Sequence, residues 1–149
     1  NISNAVWSLS ALGFVNSPLI DAIASAALPR MPELSDQDLT NTAWAFATLL
    51  IDHWPFLHAL SAEVMRRITG VGPQGLANTA WALSTLPLHN FPLMSAIASA
   101  SLPIMTEFRT QELSNSAWAF ATLEVCDRPL MAALSSASRR LIATGDGDT

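Results

Sequence analysis

Lysine and tyrosine are missing from these 149 residues, cysteine occurs once, and only 13% of the residues are charged. Each shortage excludes something. Without lysine the seven positive charges are all arginine, and they are outnumbered, leaving a net charge of −5. Asp146 and Asp148 near the C-terminus supply part of that excess. Such a chain lacks the electrostatic footprint that grips a nucleic-acid backbone. A lone Cys126 rules out an internal disulfide framework and a cysteine-based zinc cluster, and reads as an ordinary free thiol in an inter-helix turn. No apolar run approaches the ~18–20 residues that cross a bilayer, so no direct membrane span is expected. The sequence opens at Asn1 with a helical pattern already under way, unlike a signal peptide or a basic transit segment. A processed chain, or a piece of a longer array, is the expectation. What is abundant is apolar material: half the residues are hydrophobic, enough for the core of one domain.

That material is periodic. Trp7, Trp44, Trp81 and Trp118 are separated by 37 residues without a gap. Asn4, Asn41, Asn78 and Asn115 stand three residues earlier, and Pro18, Pro55, Pro92 and Pro129 eleven residues later. Gln37, Gln74 and Gln111 form one more column. Columns without insertions are the mark of a repeat array. A second symmetry of 74 residues lies over the first. Units one and three share a helix of the type Pro-Leu-x-x-Ala-Ile-Ala-Ser-Ala, while units two and four share Ala-Trp-Ala-Phe-Ala-Thr-Leu at 43–49 and 117–123.

Each unit reads as two helices. The first covers about 37–50 in the second unit, with counterparts near 2–13, 74–86 and 111–124. Ser35 followed by Asp38 resembles a capping box, and Pro73 suits a first turn. Leu39, Ala43, Phe46, Ala47 and Leu50 make one stripe at helical spacing; Asn41, Trp44 and Thr48 make another on the far side. A helix apolar on both sides is expected to be covered on both, by its partner helix and by the next unit. The second helix starts around the recurrent proline, with Asn16, Asn90 and Asp127 placed as caps. Pro29 and Pro103 limit it in the odd units. In the even units it ends in Arg66 and Arg67, or Arg139 and Arg140, where cations suit the helix dipole. The expected fold is all-α, an α-solenoid of four helix–turn–helix units over residues 1–143 (about 1–34, 35–71, 72–108 and 109–143), followed by a flexible tail at 144–149.

Catalysis leaves no trace in this pattern. His53, His58 and His89 have no carboxylate or cysteine at metal-ligand spacing, and read as turn or surface residues. Asp36, Asp38 and Glu112 sit at helix starts, where capping explains them. Neither a Gly-rich phosphate loop nor a nucleophile elbow is present. The chain is expected to be no enzyme, with no metal and no cofactor.

Recognition is the remaining possibility. The recurrent pairs Asn4–Trp7, Asn41–Trp44, Asn78–Trp81 and Asn115–Trp118 could form a ladder that stacks on bases and bonds their edges. They could equally be structural, with tryptophan filling the gap between units and asparagine bonding backbone in the neighbouring turn. Identity in all four units favours structure, because a code that reads different bases should vary. The candidate contacts are therefore the positions flanking the asparagine, Ser3, Thr40, Thr42, Thr79, Ser114 and Ser116, together with Arg66, Arg67 and Arg140 at the helix ends. Small hydroxyl residues there also suit close helix packing.

The string Leu-Thr-Asn-Thr-Ala-Trp-Ala-Phe-Ala-Thr-Leu at 39–49, with echoes at 76–86 and 113–123, resembles the 37-residue heptatricopeptide repeats. These are kin of the octotricopeptide repeats, found in algae, dinoflagellates and apicomplexan parasites. The resemblance covers the chain up to about Ala143. It implies an organellar RNA-binding factor of the plastid or mitochondrion, acting without catalysis. Such proteins sometimes carry a C-terminal RAP domain, which this sequence does not contain. Its acidity departs from what an RNA-gripping array would show, and points to a second class of partner: another protein, with this chain as scaffold or accessory subunit of a larger organellar complex.

Overall fold

The computed structural model describes residues 2–12, 16–86 and 88–145, without the side chains of Ile2, Ser3, Val6, Trp7 and Ser10. The expected roles of Ser3 and Trp7 thus lie outside the described residues. Every regular element among those described is helical: α1 (Ile2–Leu12), α2 (Ser17–Ala27), α3 (Asp36–Thr48), α4 (Trp54–Arg66), α5 (Pro73–Thr85), α6 (Phe91–Ser101), α7 (Thr110–Thr122) and α8 (Arg128–Thr144). Short 3-10 stretches follow α2, α4 and α6, at Leu28–Glu33, Ile68–Gly70 and Leu102–Glu107. The all-α expectation holds.

Local chemistry sets the boundaries. The side chains of Asn16, Asn90 and Asp127 accept hydrogen bonds from the backbone N–H groups of Leu19, Leu93 and Leu130 at 3.1, 3.1 and 2.9 Å, and a proline fills the first turn behind each. This satisfies donors that have no partner inside the helix. In α4 the same position holds His53, whose Nδ1 accepts from the Phe56 N–H at 3.2 Å. Ser35 caps α3 as expected, accepting from the Asp38 N–H at 3.1 Å. Pro29 and Pro103 end their α-helices, but the chain continues as a tighter 3-10 turn instead of opening into a loop. At the far ends of α3 and α7, Ile51 and Val125 donate back to the carbonyls of Phe46 and Phe120, both at 2.9 Å. That closure forces the residues between, Leu50 and Glu124, to φ of 54° and 55°, where glycine is the usual occupant. Each costs about 1 kcal/mol. The last helix is longer than the arginine pair suggests: α8 passes Arg140 and runs through Thr144 to a left-handed Gly145. The expected tail therefore loses its first residue to the helix, while Asp146–Thr149 lie outside the described residues.

The helices pack in two layers. α1, α3, α5 and α7 lie side by side, each against the next, while α4, α6 and α8 form a looser layer behind them with the 3-10 stretches wedged between. The odd-numbered helices can approach closely because their facing edges are small. Thr40, Ala43 and Ala47 of α3, and Ala77, Ala80 and Ser84 of α5, are all buried. Against α3 the helix α5 carries Gly75, where an added Cβ would come within 3.2 Å of a Thr40 methyl and, from the turn that precedes α5, within 2.6 Å of a Val71 methyl. The core fills the space between the layers. Leu39, Leu76 and Leu113 occupy one 37-residue column, and Phe46, Leu83 and Phe120 another, all at most 5% exposed. Phe46 stacks on Phe56 of α4 with ring centres 4.6 Å apart, tying one layer to the other.

Candidate functional site

The second stripe of the odd-numbered helices is not covered by the next helix pair. It faces outward. Trp44 and Trp81 are half-buried and Trp118 is 50% exposed. Trp44 lies beside Trp81 with ring centres 6.1 Å apart, and Trp81 beside Trp118 at 6.5 Å, the planes inclined by 32° and 33°. One edge of each inner indole packs on the core while the rest of the ring lines the outer surface. The tryptophans thus lie between units, as one of the two readings of the sequence expects, but are only partly covered there, because indole is amphipathic and large. It anchors by an edge and still leaves a face to solvent.

One helical turn earlier stands the row of asparagines, Asn41, Asn78 and Asn115, each half-buried, with Asn4 exposed on α1. The expected bonds to backbone in the neighbouring turn are not formed. No described residue is hydrogen-bonded to the side-chain amides of Asn41, Asn78 or Asn115. Gln37, Gln74 and Gln111 extend the row at its exposed start. The result is a strip of glutamine, asparagine and tryptophan that crosses α3, α5 and α7 in step. Its amides carry donors and acceptors that the fold leaves unused.

The flanking hydroxyl residues are placed elsewhere. Thr40, Thr42, Thr79 and Ser116 are at most 3% exposed, between neighbouring odd-numbered helices. Thr40 and Thr42 donate to the carbonyls of Asp36 and Asp38 at 3.1 and 2.6 Å, and Thr79 to that of Gly75 at 2.8 Å. A small hydroxyl can satisfy itself on its own helix in this way, and so be buried cheaply. These four offer no surface to a ligand in this fold. Ser114 is exposed, on the edge of α7 that faces away from α5, where it lines an open cleft with Leu113, Ala117 and Leu141.

The arginines are engaged. Arg67 leaves the end of α4 and reaches back into the 3-10 stretch after α2. Its Nη1 donates to the Leu34 carbonyl at 2.6 Å, and its Nη2 to the Pro32 carbonyl at 2.7 Å. Its Nε donates to Glu63 at 2.6 Å, and the side chain is only 18% exposed. Arg66 spans the same carboxylate, its Nε donating to Oε2 at 3.1 Å and its Nη2 to Oε1, the oxygen that Arg67 also uses. That Arg66 bond, joined by Arg67, keeps the Glu63 carboxyl at about 2 against the opposing effect of burial, and raises the Arg66 guanidinium in return. Arg140 repeats the gesture two units later, donating to the Thr106 carbonyl at 3.1 Å. Of the arginines expected to meet a ligand, Arg67 and Arg140 thus fasten α4 and α8 to the 3-10 stretches of the preceding pairs, while Arg66, 63% exposed, pairs with Glu63 on its own helix. Sequence holds one signal for this, the recurrence of arginine at the ends of both even-unit helices. The carbonyls it meets lie more than 30 residues away.

Other chemistry is sparse. His53 Nε2 stands 4.0 Å from Asp21, and the ring acts as a helix cap. His58, His89 and Cys126 are exposed and separate. No group of three or more His, Cys, Asp or Glu side chains comes together among the described residues. Among these residues, too, no helix is long and apolar enough to cross a membrane. Set against known proteins, the chain matches no family model and no curated protein resembles it significantly.

Proposed function

We propose that the chain is an α-solenoid of four 37-residue units and acts as a non-catalytic binding module, with the outer strip of α3, α5 and α7 as its ligand surface and another protein as its partner. One observation carries this: the strip repeats solvent-facing amides and indoles while none of its asparagine amides serves the fold. Residues that recur without a structural duty are available for recognition. Charge selects the partner. The odd-numbered helices contain Asp36, Asp38 and Glu112 and no arginine of their own; Arg67 pairs with Asp36 and the exposed Arg109 precedes α7, so carboxylates outnumber cations at the helix starts and disfavour a polyanion.

RNA is the second reading, favoured by the resemblance of residues 39–49 to heptatricopeptide repeats and by indole faces on which bases stack. Under either reading the chain works in a plastid or mitochondrion, as an organellar factor or as an accessory subunit of a larger complex.

Photo-cross-linking separates the alternatives and captures whatever ligand the cell supplies. A photoreactive residue replacing Gln74, on the strip, is compared in the expressing cell with one replacing Ser99, on α6. The expected result is a covalent adduct to polypeptide from position 74 and none from 99. Adducts from 99 alone would sink the assignment of the face. Adducts from 74 to RNA would replace the partner.

A further inference from the structure

We infer that the strip is a track for the main chain of an extended, neutral-to-basic peptide, with the asparagines bonding its backbone and the indoles forming the floor between its side chains. This rests on the reading of the strip as the ligand face and names what lies on it.

The first argument is invariance. An identical amide recurs at Asn41, Asn78 and Asn115, with an identical indole three residues on. A constant reader suits a constant feature of a polymer. In a polypeptide that feature is the main-chain amide. A primary amide offers one carbonyl acceptor and two N–H donors, and so pairs with a backbone N–H and C=O at once. The second argument is spacing. In an extended chain, alternate residues present their backbone groups and side chains to the same side, with a rise of about 3.3 Å per residue and so about 6.6 Å per two residues. The rungs of the strip stand 6.1 and 6.5 Å apart, measured between indole centres. Over the indole floor two peptide residues therefore advance by about one ring, and the three described rings accommodate about six. The third argument is charge. The helix starts beside the track hold three carboxylates, Asp36, Asp38 and Glu112, against two cations, Arg67, which pairs with Asp36 at 3.4 Å, and the exposed Arg109. Lysine or arginine stems lie well on indole faces, where the ring attracts the cation. Main-chain bonding for affinity, with alternate side chains for selectivity, is an established mode of peptide recognition.

The test uses a pool of random peptides of about eight residues with blocked ends, displayed against the wild-type chain. A triple variant, Asn41→Ala, Asn78→Ala and Asn115→Ala, is run beside it. The expected result is enrichment of peptides rich in lysine and arginine, whose affinity by fluorescence anisotropy falls about tenfold or more in the variant. Methylating the backbone nitrogens of one alternate set of residues in the best peptide should abolish binding, and methylating the other set should not. Circular dichroism checks that the variant is folded. If it is not, Asn78→Ala and the two methylated peptides decide the matter alone. No enriched peptide, equal tolerance of methylation in both sets, or undiminished binding by the variant would each overturn the track. An oligouridylate, run in parallel at two salt concentrations, distinguishes the two failures. Salt-sensitive binding of it that the triple variant loses, with no peptide enriched, would sink the peptide track but keep the strip as the ligand face. Peptide binding untouched by the asparagine changes, with no cross-links from position 74, would remove both.

Discussion

The two helix layers solve different problems with different residues. The odd-numbered helices are made of alanine, threonine and serine where they meet, and a Cβ on Gly75 of α5 would stand only 3.2 Å from a Thr40 methyl of α3. The even-numbered ones meet the core through Phe56, Leu60, Leu93 and Leu130, stand further apart, and at two of their junctions are bridged by an arginine to a 3-10 stretch. Close packing in the first layer is achieved by backbone and small side chains alone. That frees its large residues, tryptophan and asparagine, to face outward.

Three changes press on this contrast. Phe56→Ala removes the ring that stacks on Phe46 across the two layers and should cost about 3–5 kcal/mol in urea unfolding. A loss below about 1 kcal/mol would mean that the layers do not depend on that joint. Arg67→Ala comes next. It strips the Leu34 and Pro32 carbonyls of a charged donor and should cost about 2–3 kcal/mol. Arg66→Ala, whose side chain is 63% exposed, should cost less, about 1 kcal/mol or below. Equal losses from the two would show that the even layer is held by charge in general and not by the reach of one guanidinium. The last test is of pH. Glu63 is held at about 2 in the folded chain against an ordinary 4.5. Its contribution to stability is thus complete above about 4.5 and drains away as the pH falls toward 2. Glu63→Gln should flatten the acid limb of a stability–pH curve in that window, and leave the odd layer's alanine contacts untouched. An unchanged acid limb would contradict the pairing.

Much of the helical order was legible because spacing survives translation into geometry. The proline and asparagine columns place the starts of α2 and α6, with aspartate doing the same for α8. The columns of Leu39 and Phe46 place the core. The face of the candidate site was harder to read, for two opposite reasons. Tryptophan counts as apolar and is therefore assigned to the interior, although a ring of that size can be held by one edge. Threonine counts as polar and is assigned to the surface, although Thr42 satisfies its hydroxyl on its own helix and packs at 0% exposure. Arg67 misleads because nothing in its neighbourhood along the chain names carbonyls some 35 residues away. Those carbonyls are free to receive it only because the chain after Ala27 tightens into a 3-10 stretch around Pro29 and Pro32.

The arginine fasteners also divide the molecule mechanically. Arg67 binds the second helix pair to the first, and Arg140 the fourth to the third, but residues 68–108 contain no arginine to bind the third to the second. At that junction the even layer has instead an apolar cleft of about 550 Å³, between Ile68–Pro73 on one side and Pro103 and Ile104 on the other. Across the even layer that junction thus presents a cleft where its neighbours have an arginine, and the close seam of α3 and α5 is what chiefly joins the two halves.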